Sequence, residues 1–138
     1  VNNFGKLVTE RIKGFLKEKD YKGALNDFNK SIEIDPEDST PYTGRAWVKY
    51  LTGDFAGAIK DSRKALTFNP KNFSALSTLG RSQYELDQKK VACSNLKKAV
   101  SFGTDDFGGE LDSFDYLRQN TKDYIASEDG AWCRNMID

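Results

Sequence analysis

Apolar residues in this chain recur at helical spacing, and the pattern itself recurs at a fixed offset. Phe55, Ala58, Ile59, Ala65, Leu66 and Phe68 stand at offsets of 0, 3, 4, 10, 11 and 13 residues, which lines one face of a helix. Gly53-Asp54 is a turn signal ahead of this stretch. Pro70 follows it, where no further helical N–H is required. Before the turn, Thr40-Pro41 reads as a helix start, with Thr40 as the cap and Pro41 in the first turn. The unit is therefore predicted as two antiparallel helices of about a dozen residues each.

Sliding the chain by 34 residues lays this unit on its neighbours without an insertion. Asp20-Tyr21-Lys22-Gly23-Ala24 falls on Asp54-Phe55-Ala56-Gly57-Ala58, Asp27 on Asp61, and Pro36 on Pro70. A second step carries Ala46 to Gly80, Tyr50 to Tyr84, Ala58 to Ala92 and Ala65 to Ala99. Three repeats are predicted at about 5–38, 39–72 and 73–106 in a single all-α domain spanning 1–138, six helices without a strand. Leu111, Phe114, Leu117 and Ile125 extend the helical spacing over about 110–126. That segment is expected to cap the last exposed apolar face, or alternatively to swing into the groove. The tail at 127–138 carries Trp132, Met136 and Ile137, available to dock on the scaffold or to meet a partner.

The short residues have a packing reason of their own. Helices approach to about 8 Å only where side chains are small. Ala46 against Ala58, and Gly80 against Ala92, are the expected close crossings, with Ala65 and Ala99 facing the next repeat.

A 34-residue helix-turn-helix unit with small residues at its crossing resembles the tetratricopeptide repeat (TPR) family. The second repeat carries the resemblance on Tyr42, Ala46, Gly53, Phe55, Ala58, Ala65 and Pro70, the third on Leu76, Leu79, Gly80, Tyr84, Ala92, Leu96 and Ala99, and the first on Phe15, Tyr21, Ala24, Phe28 and Pro36. Ile12 departs from it, standing where the family has a small residue, and Gly103-Thr104 replaces the closing proline of the third repeat. Val91-Ala92-Cys93, Lys97-Lys98-Ala99 and Gly103 are similar to the closing repeat of small bacterial, including cyanobacterial, members. The resemblance implies a right-handed α-α superhelix whose first helices line a concave face. It names no ligand, because one fold serves many functions.

Composition narrows the function classes. Lysine plus arginine and aspartate plus glutamate each number 21, so the formal net charge is zero. That balance argues against nucleic acid or an anionic membrane as the main partner. Hydrophobic residues at 38% and charged residues at 30% are too apolar and too balanced for disorder. The longest apolar run is three residues, so no transmembrane span is expected. There is no histidine, which removes the usual general base and the commonest metal ligand. No catalytic residue, cofactor or metal is expected. The acidic residues Asp105, Asp106, Glu110, Asp112 and Asp115 lack calcium-loop spacing and read as a solvated linker into a helix start. Gly108-Gly109 is a flexible joint, not a phosphate loop.

Cys93 shares the slot of Leu25 and Ile59 and is expected to be a buried, unbonded core thiol. Cys133 stands beside Arg134 in the tail. So few cysteines point to a reducing, cytoplasmic compartment. Residue 1 is valine and the sole methionine is Met136, so the chain is expected to be cut from a longer product, which leaves signal removal and a periplasmic location open. Arg11 and Arg45 share a slot whose third member is Leu79, and sixteen residues later stand Asp27, Asp61 and Asn95. Arginine and aspartate occur together twice and vanish together once. Ion pairs Arg11–Asp27 and Arg45–Asp61 within repeats are therefore expected, ahead of a ligand-binding role for the arginines.

By the resemblance, fifteen positions face inward: Lys6, Thr9, Lys13, Leu16 and Lys17, then Thr40, Thr43, Trp47, Tyr50 and Leu51, then Ser74, Ser77, Arg81, Tyr84 and Glu85. The expected peptide-binding set is Lys13, Lys17, Thr43, Trp47, Tyr50, Ser77, Arg81 and Tyr84. Cations beside aromatic rings suit an acidic peptide or protein segment. The alternative leaves the lysines as solvated charge and the two tyrosines as packing residues. Family members that bind chaperone tails hold a terminal carboxylate on lysine, asparagine and arginine. The corresponding slots here read Thr9, Lys13, Gly44, Ser74 and Thr78, so that clamp is missing. The expected function is a non-catalytic protein-interaction module. Self-association through an open repeat end or the tail is the alternative.

Overall fold

The helices begin where four short polar side chains recur in register. Asp20 and Asp54 each accept a hydrogen bond from the backbone N–H three residues on, Gly23 and Gly57, both at 2.9 Å. Asp38 and Asn72 accept from the backbone of Thr40 at 3.0 Å and Ala75 at 2.9 Å. These caps satisfy N–H groups that have no intrahelical partner. They open α1 (Tyr21–Ile34), α3 (Phe55–Phe68), α2 (Ser39–Leu51) and α4 (Phe73–Glu85) respectively. α5 (Lys89–Phe102) and a short α6 (Ala131–Arg134) follow. The computed structural model describes residues 14, 19–102 and 131–135. α1 is the second helix of the first repeat, α2 and α3 form the second repeat, and α4 and α5 the third. The first helix of repeat one and the cap helix expected at 110–126 lie outside the described residues.

The start of α2 corrects one expectation. Asp38 is the cap, not Thr40, because its carboxylate takes the Thr40 N–H as a charge-assisted bond. Pro41 falls two residues after the first helical residue, still within the turn whose N–H groups need no helical acceptor.

The turns inside the repeats share one backbone device. After α2, the Gly53 N–H donates to the Tyr50 carbonyl at 3.1 Å and the Asp54 N–H to the Lys49 carbonyl at 2.8 Å. After α4, the Asp87 N–H reaches Tyr84 at 3.0 Å and the Gln88 N–H reaches Gln83 at 2.8 Å. Both are Schellman closures, which place one residue in the left-handed region. Lys19 (φ 59°), Gly53 (φ 86°) and Asp87 (φ 62°) occupy that position at 34-residue intervals. The repeat is therefore written in backbone torsions as well as in side chains.

Packing follows the small residues. Ala46, Ala58 and Ala92 are fully buried. A Cβ on Gly80 would lie 2.8 Å from Leu96 Cγ and 3.0 Å from the Ala92 carbonyl oxygen, so Gly80 marks the expected crossing with α5. Ala65 packs with Tyr42 and with Ala75 of the next repeat, and Ala99 with Phe73 and Leu76. Asn72, fully buried, ties three helices together. Its amide donates to Ser39 Oγ and Thr43 Oγ1, each at 2.8 Å, while Ser39 donates to the Ala65 carbonyl at 3.1 Å.

Consecutive helices pack in pairs, and α2 also touches α4 directly. Among the described helices, the backbones of α1 and α3, and of α3 and α5, do not approach each other as closely as those of α2 and α4. First helices therefore form the tighter inner layer of a curved stack, and second helices the splayed outer one. The described residues are all-α, with no strand.

Cys93 is buried, but it is not a free thiol. It is disulfide-bonded to Cys133, with the two Cα atoms 5.1 Å apart. α6 packs on α5 and brings Cys133 to this slot, a tertiary approach that helical spacing does not encode. Both cysteines are thus paired, and the ground for expecting a reducing compartment falls away. Among the described residues, no helix is long and apolar enough to cross a membrane.

Candidate functional site

The inner face of α2 and α4 gathers four of the expected groove residues. Trp47 and Tyr50 sit one turn apart on α2, their rings stacked at 5.3 Å. Arg81 of α4 reaches across, its guanidinium 6.0 Å from the Trp47 ring centroid, within range of a cation–π contact. Tyr84 lies one turn further along α4 and stacks on Trp132 of α6 at 4.6 Å. Between these side chains is an open cleft of about 80 Å³, lined by Tyr50, Arg81, Tyr84, Glu85, Leu96 and Trp132.

The individual groove candidates divide by exposure. Tyr50, Arg81 and Tyr84 are half-buried. Trp47 is only 7% exposed, beneath Tyr50 and Arg81, so it supports the groove floor more than it presents a surface. Thr43 and Ser77 are fully buried. Thr43 donates to the Ser39 carbonyl at 3.1 Å and accepts from Asn72, which ties it to packing between repeats. Lys13 and Lys17 lie outside the described residues. The charges that the described cleft holds are Arg81 and Glu85, one of each sign.

Sequence reasoning left the place of Trp132 open. The adjacent Cys133 was the available signal, because a bond from Cys133 to Cys93 pulls Trp132 onto the third repeat.

Arg45 is committed to structure rather than to a ligand. Its Nε and Nη2 donate to the two Asp61 carboxylate oxygens at 2.8 and 2.7 Å, and its Nη1 donates to Asn29 of the first repeat at 2.8 Å. The guanidinium also lies 5.7 Å from the Tyr42 ring centroid. The hydrogen bonding to Asp61 raises its pKa above the ordinary arginine value, while burial acts the other way. Lys49 adds a second cation on Asp61 at 2.9 Å. In the third repeat the positions of Lys49 and Asp61 hold Gln83 and Asn95, joined by a neutral hydrogen bond of 2.7 Å. The expected Arg11–Asp27 pair lies outside the described residues, because Arg11 does; Asp27 itself is buried.

Paired helices in a 34-residue register, small residues at each crossing and first helices on the inner face define a tetratricopeptide-repeat fold. Residues 15–38 match the family described as tetratricopeptide repeat. Solved structures extend the likeness along the chain. The TPR domain of Sgt2 from Aspergillus fumigatus is similar at a TM-score of 0.69 and 20% identity, over 91% of this chain and 81% of that one. The first TPR of Spaghetti (RPAP3), bound to the HSP90 peptide SRMEEVD, is similar at 0.68 and 21% identity, over 92% and 98%. The Arabidopsis OM64 TPR domain is similar at 0.66 and 21% identity, over 86% and 94%. Comparison with curated protein sequences gives no match.

Proposed function

We propose that this chain is a non-catalytic interaction module that receives a peptide or protein segment along the inner face of α2 and α4. One observation carries the proposal: half-exposed Tyr50, Arg81 and Tyr84 from adjacent first helices converge on one cleft. Aromatic and arginine side chains concentrate binding energy when a partner desolvates them. Arg81, with Lys13 and Lys17 from the first repeat, favours an acidic segment. A structural neighbour in this fold holds the acidic peptide SRMEEVD, which is consistent with that use of the scaffold. A chaperone-tail carboxylate is not the proposed ligand. Of the slots that would clamp it, Gly44, Ser74 and Thr78 are uncharged and buried here.

The test is titration of fluorescent acidic and basic peptide pools, in reducing buffer, against wild type, Tyr50→Ala and Trp47→Ala. The acidic pool should bind better, and more weakly as salt rises. Each substitution should cost ~2 kcal/mol of affinity, Tyr50 by direct contact and Trp47 by collapse of its support. Equal binding by all three proteins, or a preference for basic peptides, rejects the proposal. Mass that rises with concentration in light scattering would then favour self-association through an open repeat end or the tail.

A further inference from the structure

We propose that α6 is a redox-released stopper for this groove: the Cys93–Cys133 disulfide holds Trp132 on Tyr84, and reduction frees the ring face that a bound segment would use. This rests on the groove function proposed above. Three observations support it. Trp132 stacks on Tyr84, an inner-face residue of α4, at 4.6 Å. The next residue, Cys133, is bonded to Cys93 of α5, so the stack and the tether are one chain position apart. The cleft left beside Trp132 is about 80 Å³. That is roughly half of the ~150 Å³ that encloses a benzene ring in a protein cavity, and the Trp132 side chain forms part of the wall.

The chemistry is thiol–disulfide exchange with a dithiol reductant. One reductant thiolate attacks a cysteine sulfur, forms a mixed disulfide and expels the other cysteine as thiolate. The second reductant thiolate then closes a disulfide within the reductant and releases the first cysteine. The chain gains two electrons and, on protonation, two hydrogens, while the dithiol is oxidised. Cys93 is 1% exposed and Cys133 fully covered, so attack requires α6 to lift locally. The stopper therefore responds to sustained reduction and not to a brief encounter with thiol.

The experiment uses the full chain, oxidised or treated with dithiothreitol, alongside Cys133→Ser and Trp132→Ala. The chain has two tryptophans, so in a Trp47→Phe background acrylamide quenching reports on Trp132 alone. Quenching of Trp132 should rise at least threefold on reduction. Binding of an acidic dodecapeptide pool should tighten at least tenfold on reduction. Trp132→Ala should bind as tightly while still oxidised, because its disulfide remains and only the ring is gone. Unchanged quenching, or equal binding by the oxidised and reduced wild type, overturns the stopper while leaving the groove function standing. Binding by none of the forms, Trp132→Ala included, overturns the groove function and the stopper with it.

Discussion

Arg45 and Asp61, sixteen residues apart, face each other through two parallel hydrogen bonds of 2.7 and 2.8 Å. Asp61 is nearly covered, its side chain 4% exposed, and Lys49 approaches it as well. Removing the carboxylate strands two cations at a partly buried site. Asp61→Ala should therefore cost ~3–5 kcal/mol in denaturant unfolding. Grafting the third repeat's solution, Arg45→Leu with Lys49→Gln and Asp61→Asn, should recover most of that loss. A triple variant no more stable than Asp61→Ala would show that the neutral set is not interchangeable between repeats. The raised Arg45 pKa means that the pair's contribution is complete below the ordinary arginine pKa and is lost only as pH climbs through the folded value.

Asp87 occupies a left-handed backbone position that its repeat-mate Gly53 fills without a Cβ. Left-handed geometry costs an L-residue ~1–2 kcal/mol, less for aspartate, which tolerates it better than most. Asp87→Gly should raise stability by ~0.5 kcal/mol, and Gly53→Ala should lower it by ~1 kcal/mol. Thermal unfolding of the two variants measures both signs at once.

Gly80 has no room for a side chain against the Ala92 carbonyl and Leu96. Leucine there must push α4 and α5 apart. Gly80→Leu should destabilise by at least ~1–3 kcal/mol, despite the better helix propensity of leucine. An unaltered melting temperature would contradict the close crossing.

Asn72 caps α4 and donates to two hydroxyls of α2. Loss of the cap alone is worth ~1 kcal/mol. Asn72→Ala should cost ~2 kcal/mol or more, because buried partners lose their donor as well. Asn72→Ser should retain a capping oxygen without burying a charge and lose less, which unfolding curves of the two variants can resolve.

The disulfide closes a loop between residues 40 apart in sequence. Such a cross-link stabilises by ~2–4 kcal/mol, chiefly by restricting the unfolded chain. Cys133→Ser should lower the denaturation midpoint of the oxidised protein and make it insensitive to reductant. Wild type should show the same drop only when reduced.

The repeat was legible in the sequence because its causes are local and occur more than once. Small residues at Ala46, Ala58, Gly80 and Ala92, the matching segments that begin at Asp20 and Asp54, and the joint appearance of Arg45 with Asp61 each have a counterpart 34 residues away, so a single chain carries its own comparison. That periodicity determined the helix pairs, their crossings and the ion pair. What occurs once had no such comparison. The Cys93–Cys133 bond and the Tyr84–Trp132 stack join segments far apart in the chain, and Cys93 occupies a slot that is aliphatic in both other repeats, so its pattern spoke for a core thiol. The burial of Thr43 and Ser77 was equally out of reach, because a hydroxyl one turn from a groove residue faces solvent or a neighbouring helix according to how adjacent helices pack. Periodicity tells which face of a helix is apolar; only the packed repeats decide what covers the rest of it.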